Sequence, residues 1–412
     1  METRLADFIK DTPQGREADS ILRACVHCGF CNATCPTYQL LGDELDGPRG
    51  RIYLIKQMLE GAAPTEKTRL HLDRCLTCRA CETTCPSGVR YGRLADIGRD
   101  MLEKLVKRSF VESVRRTVLR TTLTHPALFN PLLRLGRLLR PLLPEKPRRK
   151  IPKAERQAPW PSTGHARKML VLEGCVQAAI APGINSAAAR VLSRLGVSLV
   201  PARGCCGALP YHMNAQQEGK DYMRRNIDSW WRDIEQGAEA LVITASGCGA
   251  MVKEYGHLLK DDPVYSEKAR RVSEMAKDIV EIINAEKDKI SAQIARQEKR
   301  QARSAVHSPC SLQHALKLGG TVEKLLADCG FELTSVADAH LCCGSAGTYS
   351  ILQPELSQRL LANKIKALRS GAPNQILTAN IGCLAHLQSA TELPVKHWIQ
   401  ALDETLNPVY PE

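Results

Sequence analysis

Seventeen cysteines are the residues of this chain best placed to do chemistry, and their spacing sorts them into groups. Cys25, Cys28, Cys31 and Cys35 form a C-x2-C-x2-C-x3-C run closed by Pro36. Cys75, Cys78, Cys81 and Cys85 form a second such run, closed by Pro86, fifty residues further on. Cys175, Cys205, Cys206 and Cys248 make a looser group, answered by Cys310, Cys342, Cys343 and Cys383, while Cys329 stands apart. Met1 to Asp11 is mixed in charge and lacks the apolar stretch of a secretory signal, so the reducing cytosol is the expected compartment. Clustered cysteines there bind metal or do redox work more often than they pair as disulfides.

A [4Fe–4S] cube presents four irons, each needing one thiolate. Three cysteines at two-residue spacings can wrap one cube. In proteins with two such cubes the fourth cysteine crosses to the other, and the proline after it helps turn the chain away. The expected ligand sets are therefore Cys25, Cys28, Cys31 and Cys85 for a first cluster, and Cys75, Cys78, Cys81 and Cys35 for a second. A pair of zinc sites is the competing assignment. Zinc takes cysteines in pairs, which leaves the third cysteine of each run and the proline unexplained.

The elements that must hold these residues are visible as patterns. Arg51 to Glu60 reads as a helix, with Ile52, Ile55 and Leu59 at helical spacing and Gly61 as its stop. From residue 166 the chain repeats itself. Apolar strands at Met169–Leu172 and around Ala305–Val306 lead into Cys175 and Cys310. Cys205-Cys206-Gly207 answers Cys342-Cys343-Gly344. Strands at Leu241–Thr244 and Ile376–Thr378 lead into Cys248 and Cys383. The offsets are 135, 137 and 135 residues. Strands alternate with helical stretches such as 216–236 and 354–370, the pattern of α/β units on a parallel sheet. The cysteines fall just past strand ends, where open α/β sheets gather their ligand sites.

Composition narrows the class. Of 412 residues, 43% are apolar and 25% charged, which excludes a wholly disordered or collagen-like chain. No run of 18 apolar residues occurs, so no spanning helix is expected. The net charge of +13 is concentrated in residues 101–150, with 13 Lys/Arg against three acidic residues. There Arg115, Arg116, Arg134, Arg137 and Arg140 alternate with leucines. Such a segment packs on a partner or between domains, or lies on anionic lipid. Nucleic-acid binding lacks any accompanying motif, and only 4% of residues are aromatic. Pro126, Pro131 and Pro141 are expected to break this segment. Residues 144–165, with five prolines and six Lys/Arg, read as a linker.

Residues 20–95 resemble a bacterial-type two-cluster ferredoxin domain. The repeated halves resemble the cysteine-rich CCG domains of the heterodisulfide reductase catalytic subunit and related iron–sulfur subunits. One ferredoxin domain followed by two CCG domains resembles the glycolate oxidase iron–sulfur subunit family, as does Asp46-Gly47-Pro48-Arg49-Gly50-Arg51-Ile52. The implied fold class is α+β overall: an N-terminal α-helical ferredoxin domain, then two repeated α/β parallel-sheet CCG domains. The expected boundaries are 1–100 for the ferredoxin-type domain, and 101–165 for the basic helical segment and linker. The first CCG domain is expected over 166–265, a long charged connecting helix over 266–303, and the second CCG domain over 304–412. The heterodisulfide reductase pattern ends each half in C-x-x-C, whereas here the ends are Cys248-Gly-Ala-Met251 and Cys383-Leu-Ala-His386. Four thiolates per half can hold one cube or a different cluster with His386 as an added ligand, or the halves are metal-free. Any third cluster is expected on Cys310, Cys342, Cys343 and Cys383 rather than on Cys175, Cys205, Cys206 and Cys248.

No G-x-G-x-x-G follows a strand and no P-loop is present, so neither flavin nor NAD is expected on this chain. A chain with clusters alone passes single electrons. The resemblance implies an electron-transfer subunit of a flavoprotein 2-hydroxy-acid dehydrogenase that oxidises glycolate to glyoxylate. FAD-containing partner subunits would do the oxidation, with a membrane quinone or equivalent acceptor. No nucleic-acid partner is expected, and the expected location is cytoplasmic, peripheral to the inner face of the inner membrane. The competing readings are an iron–sulfur subunit of anaerobic glycerol-3-phosphate or D-lactate dehydrogenase, and a heterodisulfide-reductase-like thiol redox protein.

Overall fold

The computed structural model describes residues 1–155, 159–294 and 302–407. The N-terminal hundred residues are helical. Pro13–Ala24 starts where Thr12 accepts from the Gly15 amide, with proline at its first position. The helix expected over 51–60 runs Pro48–Leu59 and buries Ile52, Ile55, Met58 and Leu59. It packs on Tyr91–Leu105, whose buried face includes Leu94, Ile97 and Leu102. Gly98 permits that approach, since a Cβ there would lie 2.7 Å from Ile55.

Two sheets follow, built alike. The first comprises β1 (Arg167–Leu172), β2 (Val197–Ala202), β3 (Leu241–Ile243) and β4 (Ala276–Asp278), in the order β2-β1-β3-β4. The second comprises β5 (Ser304–His307), β6 (Leu333–Thr334), β7 (Gln375–Thr378) and β8 (Val395–His397), in the order β6-β5-β7-β8. Every pairing is parallel. The fold is thus α+β, a helical region followed by two parallel sheets. The sheets share an apolar core that runs from Val171, Val242 and Ile279 of the first to Val306, Leu377 and Trp398 of the second. The Ser246 amide donates to the Ala379 carbonyl at 3.2 Å, and Arg190 pairs with Asp403 across the same junction.

Two local expectations are corrected. The single helix over 266–303 is instead a helix at Ser266–Met275, strand β4, and helices at Ile279–Ala285 and Lys287–Ile294. Asp278 breaks the run by accepting from the Val280 amide, and Glu281 completes its capping box. Residues 295–301 of that expectation lie outside the described residues. In the basic segment Pro131 sits inside the helix Pro126–Leu139 without ending it, and Glu145–Lys150 is helical within the expected linker. Among the described residues no helix is long and apolar enough to cross a membrane.

Candidate metal centres

The two C-x2-C-x2-C runs fold into the same shape. In each, the chain leaves a helix at the first cysteine and enters a short one before the third, at Phe30–Ala33 and Ala80–Thr84. Between them His27 and Gly29 take φ of 58° and 86°, and Thr77 and Arg79 take 55° and 60°. Left-handed backbone is costly for a β-branched threonine. Its recurrence at matched positions shows that both loops are held to one turn, with the thiols gathered around a common centre.

The gathering crosses over between the runs. Cys31 is surrounded by Cys25, Cys28 and Cys85; burial first, then these neighbours, push its thiol up to about 11. Cys25, Cys28, Cys31 and Cys85 line one pocket. Cys81 is surrounded by Cys78, Cys75 and Cys35, and its thiol is pushed well up, chiefly by burial. These are the two sets expected from the spacing. Thiols so raised keep their protons until a metal displaces them, which couples binding to proton release. Four convergent cysteines per centre satisfy one thiolate per iron, so the donor sets fit two cubes.

The two centres differ in surroundings. Cys28 is exposed, and Val26 and Phe30 beside it are 68% and 61% exposed. The second centre is set deeper, with Cys35 and Cys81 buried and Cys75 and Cys78 half-buried, and it is positively lined. Arg51, fully buried, donates to the His71 carbonyl at 2.7 Å and to Thr37, and its guanidinium lies 4.0 Å from Cys35 Sγ. Asp46 takes up the remaining charge with Arg51 and Arg74. Arg99 donates to the carbonyls of Leu72 and Cys75. Burial raises the Cys75 thiol, but Arg51 and Arg99 outweigh it and bring it below its ordinary value.

Each sheet gathers its own four cysteines at the C-terminal ends of its strands. In the first, Cys175 meets Cys205, Cys206 meets Cys248, and the adjacent Cys205 and Cys206 join the pairs. In the second, Cys310 and Cys342 have their sulfurs 3.9 Å apart, and Cys343 meets Cys383. Gly207 and Gly344, at φ of 80° and 87°, turn the chain after each cysteine pair, and a Cβ on either would come within 2.7 Å of a carbonyl oxygen. Cys310 begins a single π turn, Ser311–Ala315, of the kind found at functional sites. Cys329 is buried in the shared core, as a small apolar residue would be.

The second group touches the deeper cluster centre. Leu76, Cys78, Cys310, Cys342 and Tyr349 belong to one apolar cluster, and after burial Cys310 is the neighbour that pushes the Cys78 thiol up most. The Tyr349 hydroxyl donates to the Arg74 carbonyl, and Thr83 bonds His314 at 3.0 Å. A cavity of about 1150 Å³ opens beside these groups. Cysteines of the second centre and of both sheets line it, together with Leu119, Leu123, Phe129, Leu132 and Leu133 from the basic helices.

Among the described residues His386 is not one of the donors grouped with the thiols. Its Nε2 lies 3.2 Å from Ser357 Oγ, on the helix Pro354–Arg369. The histidine at the thiols is His307, whose ring nitrogen lies within 4.8 Å of Cys343 Sγ and Cys383 Sγ. Helical spacing from Cys383 points to His386 and not to His307. The signal was the last residue of a strand, three residues ahead of a cysteine, whose counterpart in the repeat is Leu172.

Residues 21–89 match the family model described as a 4Fe-4S dicluster domain, and residues 169–253 and 304–388 each match the Cysteine-rich domain. The glycolate oxidase iron-sulfur subunit of Escherichia coli (strain K12) is 56% identical over 409 residues, covering 98% of this chain and 99% of that protein. The chain belongs to the glycolate oxidase iron–sulfur subunit family. A probable member from Bacillus subtilis (strain 168) is 32% identical over 89% of this chain and 88% of its own length. A lactate utilization protein A of Bacillus licheniformis is 28% identical over half of this chain. As a member of the family the chain carries two [4Fe–4S] clusters in its dicluster domain, and its cysteine-rich repeats are consistent with a further one.

Proposed function

We propose that this chain is the electron-transferring subunit of a glycolate oxidase. In this reading FAD-containing partners oxidise glycolate to glyoxylate, and a membrane quinone takes up the electrons. Cys25, Cys28, Cys31 and Cys85 hold one cluster, Cys75, Cys78, Cys81 and Cys35 the other, and Cys310, Cys342, Cys343 and Cys383 a further one. When bound, these clusters supply one-electron carriers. The observation that carries the reading is the pair of four-cysteine centres, one reaching the surface at Cys28 and the other placing Cys78 beside Cys310 of the second half. Val26 and Phe30 offer a partner an apolar patch at the exposed end. Arg51 and Arg99 offset the thiolate charge at the deeper centre, which favours its reduced, more negative state.

At the far end the leucine-lined cavity suits an apolar acceptor. The helix Pro126–Leu139 buries none of its residues, and Leu138 and Leu142 are 75% and 81% exposed. Several arginines of this segment are already engaged. Arg116 pairs with Asp73, Arg120 with Glu218, and Arg137 donates to the Pro152 carbonyl. The surface left outward is therefore mainly apolar, and it would seat the chain on a membrane face.

The test uses the complex with its flavoprotein partners on anionic vesicles containing quinone. Cys28→Ser should leave flavin reduction by glycolate intact and cut quinone reduction at least a hundredfold. Leu138→Glu with Leu142→Glu should release the complex from the vesicles while dye reduction in solution continues. Quinone reduction at the wild-type rate in Cys28→Ser would refute the reading.

A further inference from the structure

We propose that His307 is a direct nitrogen ligand to iron in the second cysteine-rich half, added to the thiolates of Cys343 and Cys383. The inference rests on the reading that this half holds a cluster. His307 is the last residue of β5, paired in register with Thr378 of β7. Past Thr378 the chain turns through Asn380 into the helix Ile381–Gln388, which carries Cys383. The parallel sheet thus delivers an imidazole and a thiol to one point from residues 76 positions apart. Cys343, after the strand-end loop, supplies the second thiol.

Three observations point to a ligand. The donor atoms of His307, Cys343 and Cys383 all lie within 4.8 Å of one another, and the three residues are at most 5% exposed. Neither ring nitrogen of His307 has a hydrogen-bond partner. A buried imidazole is ordinarily satisfied by a protein group or water, and metal coordination supplies that satisfaction to one nitrogen.

The third observation is the repeat itself. The residue at the same offset in the first half is Leu172, 3% exposed and packed in an apolar core. The strand-end position therefore accepts an ordinary apolar side chain, and neither the sheet nor its packing requires histidine. Around His307 the second half adds further polar groups. Asn380 donates toward Cys383 Sγ at 3.6 Å, and the buried Lys364 is anchored on the Asp338 and Ala339 carbonyls. At the position matching Asn380 the first half has Ala245.

The test uses the full chain, reconstituted anaerobically with iron and sulfide and grown with natural or 15N-labelled histidine. Iron analysis and pulsed electron paramagnetic resonance are read on wild type, His307→Leu and His386→Leu. Leucine is the substitution that the first half already tolerates, and the dicluster signals in the same sample report folding. Wild type should hold about twelve irons rather than about eight. Its additional signal should show a strongly coupled nitrogen that responds to the label. His307→Leu should lose that coupling, and His386→Leu should keep it. About twelve irons with no histidine coupling, or coupling lost only in His386→Leu, would overturn the ligand assignment alone. About eight irons in wild type, or zinc in place of the added iron, would overturn the cluster reading with it.

Discussion

The two cysteine-rich halves share strand order, four cysteines and a left-handed glycine after each cysteine pair, yet they are not equivalent. Leu172, Ala245 and Met251 of the first half stand where the second has His307, Asn380 and His386. Their relations to the dicluster region differ as well. The first half meets it through charged and polar contacts: Arg79 with Glu254, Glu17 with His257, and Arg93 with Tyr211. The second meets it through polar contacts of Tyr349 and His314 and, in addition, through its own cysteines, beside Cys78. A repeated scaffold fixes where thiols converge. In the proposed reading a few side chains at strand ends decide which copy does chemistry, and the copy so equipped is the one beside Cys78.

The sharpest way to break this comparison is to disturb the turn that both halves share. Gly344→Ala and Gly207→Ala each force a Cβ to within 2.7 Å of a carbonyl oxygen in left-handed backbone. Each should cost roughly 2 kcal/mol or more in denaturant unfolding. Iron content should fall in Gly344→Ala and stay unchanged in Gly207→Ala. Equal iron loss in both would make the halves functionally alike.

A smaller effect tests the docking of the first half. His257 bonding, with Arg93 beside it, outweighs burial and lowers the Glu17 carboxyl to about 2. A carboxylate lowered in this way contributes stability that is complete above its unfolded value near 4.5 and fades as pH falls toward 2. Glu17→Gln should therefore cost about 1 kcal/mol, with the same cost at pH 7 and pH 5.5. A cost that shrinks between those two pH values would contradict this account of the contact.

Much of the site was legible in the sequence, for a physical reason. The convergence of Cys85 with the first run and of Cys35 with the second could be read from two runs and a proline. The central strands β1, β3, β5 and β7 were legible because burial on both faces demands apolar runs. Strands β4, β6 and β8 were not, since each has three residues or fewer and their side chains include Lys277, Thr334 and Lys396. β2 includes Pro201, which an edge strand tolerates. His307 escaped because its neighbours are set by register between parallel strands, a long-range relation that local spacing does not encode. The contact of Cys310 with Cys78 escaped for the same reason.

The most direct test of the inequality of the halves is iron content of the full chain after Cys343→Ser and, separately, Cys206→Ser. The two cysteines occupy the same place in the repeat and are both buried. The account predicts that Cys343→Ser loses about four irons while the dicluster signals persist, and that Cys206→Ser loses none. Iron lost on changing Cys206 and kept on changing Cys343 would contradict it.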